Sequence, residues 1–235
     1  MARKKEKINN NIRQLRIDDL KTFEAITKKQ QDTFKNYDEG QNLLLHGLAG
    51  TGKTFISLYL ALEEVMDASS DYSSIYIVRS TVPTREMGFL PGNEEEKIGI
   101  YEAPYRSICR ELFDESEAYN MLKRQKVVNF ISTSYIRGLT INNSIVIVDE
   151  MQNLNLHELD SIITRLGKNS KIIFCGDYTQ TDLIKQQEKQ GIVRFMEILN
   201  SMNHFSSVEF GIDDIVRSPL IKEYIVAKHK LGVSI

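Results

Sequence analysis

The chain has 235 residues, 41% hydrophobic and 26% charged, which suits one substantial globular core rather than a fibrous or disordered chain. Its 30 basic and 32 acidic residues leave a formal net charge of -2, so bulk charge does not make it a polyanion binder, although a local basic patch stays open. Cys109 and Cys175 lie in apolar surroundings and read as reduced core thiols, and no apolar run approaches the roughly 20 residues of a membrane span.

Residues 1–12 are polar and basic with no apolar stretch behind them. They read as a disordered tail rather than a secretory signal, a nucleic-acid-binding arm being the lesser alternative. Residues 13–235 read as a single domain. Ile17 to Tyr37 is helical by pattern, with Asp18 or Asp19 placed to cap the first turn. Leu43-Leu44-Leu45-His46, stopped by Gly47, predicts a buried strand, and Lys53 to about Ala68 predicts a helix from its apolar spacing. Ile75–Val78 predicts the next strand. Residues 83–102 carry Gly88, Pro91, Gly92, Gly99 and several glutamates, and so predict a long, partly exposed excursion. Helix is expected from about Tyr105 to Leu122, strand over Val127–Ile131, a short helical turn over Ser134–Arg137 and a buried strand over Ile145–Val148. Leu156–Leu166 predicts a helix ended by Gly167, and Lys171–Cys175 a strand. Helices are expected around Gln180–Glu188 and Ile192–Met202, an edge strand over Val208–Phe210 and a closing helix over Asp214–His229. Strands that alternate with helices and are apolar throughout predict an α/β domain with a mostly parallel sheet covered on both faces.

Residues 47–54 read Gly47-Leu48-Ala49-Gly50-Thr51-Gly52-Lys53-Thr54, a complete phosphate-binding loop between a strand and a helix. Its backbone amides and the positive end of the following helix suit phosphate oxygens. Lys53 is expected to reach the β- and γ-phosphates of a nucleoside triphosphate, and Thr54 to hold Mg2+. About 95 residues later the strand Ile145–Val148 delivers Asp149 and Glu150 to the edge where open α/β sheets bind ligands. Asp149 is expected to bind the metal through water, and Glu150 to orient and polarise the attacking water. A third strand ends in Gly176-Asp177-Tyr178-Thr179-Gln180. Gln180 is a candidate γ-phosphate or water contact, whereas Asp177 is as readily a turn residue as a ligand. Arg79, Arg85, Arg137, Arg165, Arg194 and Arg217 are all candidates to neutralise charge during hydrolysis, and spacing does not rank them.

From about residue 25 the chain resembles the PhoH-like family of phosphate-starvation-inducible ATPases. The resemblance is carried by the loop above, by Val78-Arg79-Ser80-Thr81-Val82-Pro83 and by Met87-Gly88-Phe89-Leu90-Pro91-Gly92. It is carried further by Tyr135-Ile136-Arg137-Gly138-Leu139-Thr140, Asp149-Glu150-Met151-Gln152-Asn153, Thr164-Arg165-Leu166-Gly167 and Asp214-Ile215-Val216-Arg217. That family is similar to the first motor domain of superfamily 1 helicases, which implies a RecA-like P-loop NTPase fold and ATP as the nucleotide. The same similarity implies that Thr27-Lys28-Lys29-Gln30 with Phe34 recognises adenine through Gln30, with Gln31 adjacent. It also implies that Gln180 senses the γ-phosphate and that Arg217 completes the site in cis or from a neighbouring subunit. Two departures stand out. Leu139 replaces a family arginine, which leaves Arg137 alone and weakens the reading of that loop as a phosphate or RNA clamp. Met151 replaces an alanine and keeps every polar group.

With about 55 residues after Gln180 there is no room for a second motor domain, so a monomeric helicase is not expected. The resemblance implies a homo-oligomer, a hexameric ring being the form in view, acting on single-stranded RNA or DNA. Phe89 would then stack on a base or, by slight preference, insert into a neighbour, with Arg79, Arg85 and Arg106 nearby. The alternative is a nucleotide-gated assembly or signalling protein in phosphate starvation. A nuclease would need a further carboxylate cluster, and a small-molecule kinase an acceptor pocket. Compact length and abundant Asn, Ile and Lys suggest a phage version, with a cytoplasmic location in the bacterial host.

Overall fold

The computed structural model describes residues 13–81, 94–177 and 186–231, with side chains in the latter two stretches from 98 and 190. Six strands form one sheet: β1 (Asn42–Gly47), β2 (Ser74–Arg79), β3 (Val128–Ser132), β4 (Ser144–Val148), β5 (Ser170–Gly176) and β6 (Phe205–Phe210). Their order is β3-β2-β4-β5-β1-β6, and every pairing is parallel. Side chains alternate across a strand, so Leu43 and Leu45 enter one core and Leu44 the other. On the first face lie α1 (Lys28–Asp38), α2 (Lys53–Met66), α3 (Glu94–Phe113) and α4 (Ala118–Arg124). On the second lie α5 (Leu156–Ile163) and α6 (Gln186–Asn200). The last helix, α7 (Pro219–Lys230), has no buried residue. Both sheet faces are covered, which is why the strands carry almost no polar alternation. Ile56, Leu58 and Leu62 fix α2 to the sheet, each burial contributing about 1.5–3 kcal/mol. Because all strands run the same way, the ends of β1, β4 and β5 that carry Gly47, Val148 and Gly176 meet at one edge.

Several expected elements differ. The helix read over Ile17–Tyr37 is a single 3-10 turn at Ile17–Asp19, an extended stretch, and then α1. Asp19 does secure the first turn, accepting the Arg16 N–H at 2.9 Å. Thr27 caps α1 by accepting the Gln30 N–H at 3.3 Å, and Phe23 in the extended stretch sits against Phe55 and Tyr59 with ring centroids 4.9 and 5.7 Å away. Aromatic packing thus overrides the helical pattern there. The excursion read over 83–102 lies outside the described residues as far as 93, together with Arg85 and Phe89. From Glu94 it is helix α3, running through Gly99 and Pro104. Tyr101, Tyr105, Cys109 and Leu112 form its buried stripe, and that burial outweighs a helix penalty of about 1 kcal/mol at Gly99. Pro104 frees the carbonyl of Ile100, a residue half-exposed to solvent.

The helix expected to run on to Leu122 breaks at Asp114, which takes a left-handed φ of 52°. Helix α5 ends three residues early, and Gly167 is required for another reason: a Cβ there would stand 2.0 Å from Asn142 Oδ1. The helix expected at Gln180–Glu188 lies outside the described residues up to 185, and beyond that α6 continues through Ile192. The closing helix starts at Pro219 rather than Asp214, after a 3-10 turn at Ile212–Asp214. The strands fall where expected, with β6 at an edge, and both cysteines are buried free thiols. Among the described residues no helix is long and apolar enough to cross a membrane.

Candidate active site

Strand β1 ends at Gly47, whose φ is 115° and whose absent Cβ would lie 2.2 Å from the Phe210 carbonyl of β6. Only glycine fits so close to backbone. The chain leaves the sheet there, with the Leu48 N–H bonded to Phe210 O at 3.0 Å, and returns into α2 at Lys53. Inside the loop Thr51 Oγ1 donates to Leu48 O at 3.0 Å, and the Ala49 N–H donates to Asp177 Oδ2 at 3.1 Å. Asp177 therefore braces the loop from the end of β5. Lys53 folds back, its Nζ donating to Gly47 O at 2.9 Å and Leu48 O at 2.8 Å. Burial lowers its pKa, and Asp177 is the first of the nearby charges that oppose the shift.

The end of β4 supplies the carboxylates. Asp149, 4% exposed, accepts from Thr54 Oγ1 at 2.8 Å on Oδ1 and from the Tyr105 hydroxyl at 2.8 Å on Oδ2. Arg79 Nη1 stands 3.9 Å from that second oxygen. The adjoining hydroxyl and carboxylate oxygens are hard ligands, a donor pair that fits a magnesium ion shared with phosphates. Glu150 takes a left-handed φ of 52°, a conformation costing about 1–2 kcal/mol. Burial first, and Asp149 second, raise its pKa, while Gln152, Arg79 and Lys53 restrain the rise. Gln152 ties the pieces together: its amide nitrogen donates to Glu150 Oε2, and its oxygen accepts the Asp177 N–H at 3.0 Å. At Gly176 a Cβ would come within 2.6 Å of both Gln152 Oε1 and Met151 Cγ, so this link needs glycine beside it.

Lys53, Thr54, Asp149, Glu150, Gln152 and Asp177 line a cleft of about 690 Å3. Phe23, Ile26, Gln30 and Phe55 also line it, as do Pro104, Ser107 and Ile108 of α3. Gln30 is 1% exposed. It accepts the Ile26 N–H at 2.9 Å and donates to Thr51 O at 3.3 Å, so it touches the phosphate loop directly. Gln31 is exposed, and Phe34 lies behind Phe23, stacked on Tyr59. Of the candidate arginines, Arg79 and Arg217 line the cleft, whereas Arg137, Arg165 and Arg194 do not and Arg85 lies outside the described residues. Arg217 reaches over the loop, its Cγ 3.0 Å from where a Cβ of Gly50 would stand, and the Val216 N–H bonds Gly50 O at 3.0 Å. Gln180 lies outside the described residues. Sequence reasoning gave Tyr105 and Gln152 no role. Gln152 was visible as part of a motif, but nothing in the sequence ties Tyr105 to a carboxylate 44 residues away.

Residues 22–228 match the family described as PhoH-like protein. The chain belongs to this family. It is 32% identical over 204 residues to a PhoH-like protein of Synechocystis sp., covering 86% of this chain and 61% of that one. It is 32% identical over 185 residues to a PhoH-like protein of Bacillus subtilis (78% and 57%), and 32% identical over 205 residues to Protein PhoH of Escherichia coli (86% and 57%). The chain thus spans about 57–61% of these relatives' own length. Among solved structures, the large terminase of the thermophilic bacteriophage D6E in complex with ADP aligns with a TM-score of 0.50 at 13% identity, over 85% of this chain and 49% of that chain. That likeness is one of fold. The PhoH-like chain has the mostly parallel, RecA-like P-loop architecture expected from its sequence.

Proposed function

We propose that this PhoH-like chain hydrolyses ATP with magnesium and couples turnover to binding or remodelling single-stranded RNA or DNA as a homo-oligomer, a hexameric ring being the form in view. The observation that supports hydrolysis is the meeting at one cleft of Lys53, the Thr54–Asp149 pair and Glu150. The loop Gly47–Thr54 would cradle the phosphates with its amides. Lys53 would turn from the carbonyls of Gly47 and Leu48 to the β- and γ-phosphates. Magnesium held by Thr54 and Asp149 would supply charge neutralisation on the phosphate oxygens. Glu150, half-buried beside Asp149, would orient and polarise the attacking water. Gln30 would read the adenine edge, Gln180 would sense the γ-phosphate, and Arg217 would complete the site in cis or from a neighbour.

Assembly is supported by α7, which leaves Leu220 77% and Tyr224 67% exposed just beyond Arg217, with Leu231 at its end also 77% exposed. The polymer half of the proposal rests on the family. Arg106 is paired with Glu102 at 2.8 Å, and Arg79 faces Asp149. That commitment, together with the apolar stripe of α7, favours a second reading: a nucleotide-gated assembly without motor activity. The proposed setting is the cytoplasm, that of a bacterial host if the chain is phage-encoded. Steady-state ATP hydrolysis with and without single-stranded RNA and DNA, with Lys53→Ala as the blank, separates the two. Strong stimulation by one polymer supports the motor; a rate indifferent to both supports the gated assembly. No turnover above the blank refutes both hydrolytic readings.

A further inference from the structure

We infer that Tyr105 is a positioning residue for Asp149: it holds Oδ2 so that Oδ1 stays turned to Thr54, where the metal would sit. The inference rests on the nucleotide reading above and adds to it a residue from α3, an element outside the phosphate-binding loop and the Asp149–Glu150 strand.

Tyr105 is 1% exposed, and its hydroxyl donates to Asp149 Oδ2 at 2.8 Å, while Thr54 donates to Oδ1 at the same distance. The two bonds fix the carboxylate's rotation about its last torsion, which is otherwise broad. A phenol O–H donates without bringing a charge of its own. This matters because Arg79 waits 3.9 Å from the same oxygen. A guanidinium bonded there would orient the carboxylate and also cancel the charge that attracts a cation. Arg79 already pairs its charge with the carboxylate at that distance, and the phenol adds the orienting bond without a second positive charge. Packing alone does not require the hydroxyl: the ring stands 6.0 Å from that of Phe130, a contact phenylalanine would keep. Further along α3, Ser107 and Ile108 line the cleft, so the helix that carries Tyr105 also borders the site.

The test is Tyr105→Phe in the full chain saturated with a non-hydrolysable ATP analogue. Mn2+ bound in the ternary complex is read by water proton relaxation, and metal-free binding of the analogue by calorimetry in EDTA. Loss of an outer partner of a metal-binding group weakens metal affinity by about 10–100-fold. The expected result is an Mn2+ affinity about tenfold weaker, with metal-free binding within twofold of the wild type. Tyr105→Leu, which lacks the donor and packs differently, must show the same loss, so the result does not hang on one variant folding. Unchanged Mn2+ affinity in a variant that still binds the metal-free analogue overturns the inference. If the wild type takes up no Mn2+ with the analogue, the nucleotide reading itself falls and this inference falls with it.

Discussion

Replacing Glu150 by glutamine should do two opposite things at once. Glutamine keeps the size and can still accept the Gln152 amide bond, so the end of β4 should keep its shape. What disappears is the charge that would polarise the attacking water. Positioned acid–base groups contribute about 10²–10⁴-fold to rate, or about 3–5 kcal/mol of barrier. Turnover should fall by that factor while ATP is still held. Stability should move the other way. The folded protein raises the pKa of Glu150, through burial first and Asp149 second. The native state therefore binds this proton more tightly than the unfolded chain. Above the raised pKa the ionised carboxylate costs stability, and the cost vanishes as pH falls through it. At neutral pH the variant should gain on the order of 1 kcal/mol, about 2–4 °C of melting temperature for a domain of this size. That gain should shrink in acid. Stopped-flow turnover, nucleotide binding by calorimetry and thermal melts at two pH values check all three. A variant that melts lower and still turns over, or that folds but cannot hold ATP, refutes the reasoning.

Wild-type kcat should fall as pH drops through a value above the ordinary glutamate pKa of about 4.3, because Glu150 must be ionised to act; a pH–rate profile shows this limb, and no such limb above that value refutes it. Gly47→Ala places a Cβ 2.2 Å from the Phe210 carbonyl oxygen and 2.8 Å from its amide nitrogen, at a φ of 115°. The expected loss exceeds about 4 kcal/mol, and a soluble variant with a normal melting curve would falsify it. Lys171→Met removes bonds to Tyr37 O at 3.3 Å and Glu64 at 3.4 Å, and an ammonium 3.7 Å from the Tyr37 ring, at the end of β5 away from the cleft. Stability should drop by about 1–3 kcal/mol, with turnover below the melting range within twofold of wild type.

The strands were legible because burial on both faces leaves an apolar run such as Ile145–Val148 with no competing reading. The loop Gly47–Thr54 was legible because its chemistry is local: consecutive residues build it. What failed depended on contacts distant in sequence. Ile17–Tyr37 has helical spacing, yet Phe23 is claimed by Phe55 and Tyr59, which belong to α2. Gly99 was read as part of an exposed excursion, and the buried stripe Tyr101, Tyr105, Cys109 and Leu112 keeps it in a helix. The motif pointed to Gln30 with Gln31 adjacent; Gln30 is buried against Thr51 and Gln31 faces solvent. Asp177, left open between turn and ligand, braces the Ala49 amide, a contact that requires β5 to lie beside β1.

That adjacency has a consequence for how the protein is made. The loop strand β1 leaves a ribosome well before its two neighbours, β5 and β6, which lie more than 120 residues further along the chain. Leu45 has no partner until Cys175 and Val208 have been synthesised. Parallel pairings of such long range form slowly. A growing chain would therefore carry an exposed, apolar Leu43–Leu45 segment until β5 and β6 have emerged. Synthesis interrupted before β6 would leave a sticky fragment without the Phe210 carbonyl against which the loop is set.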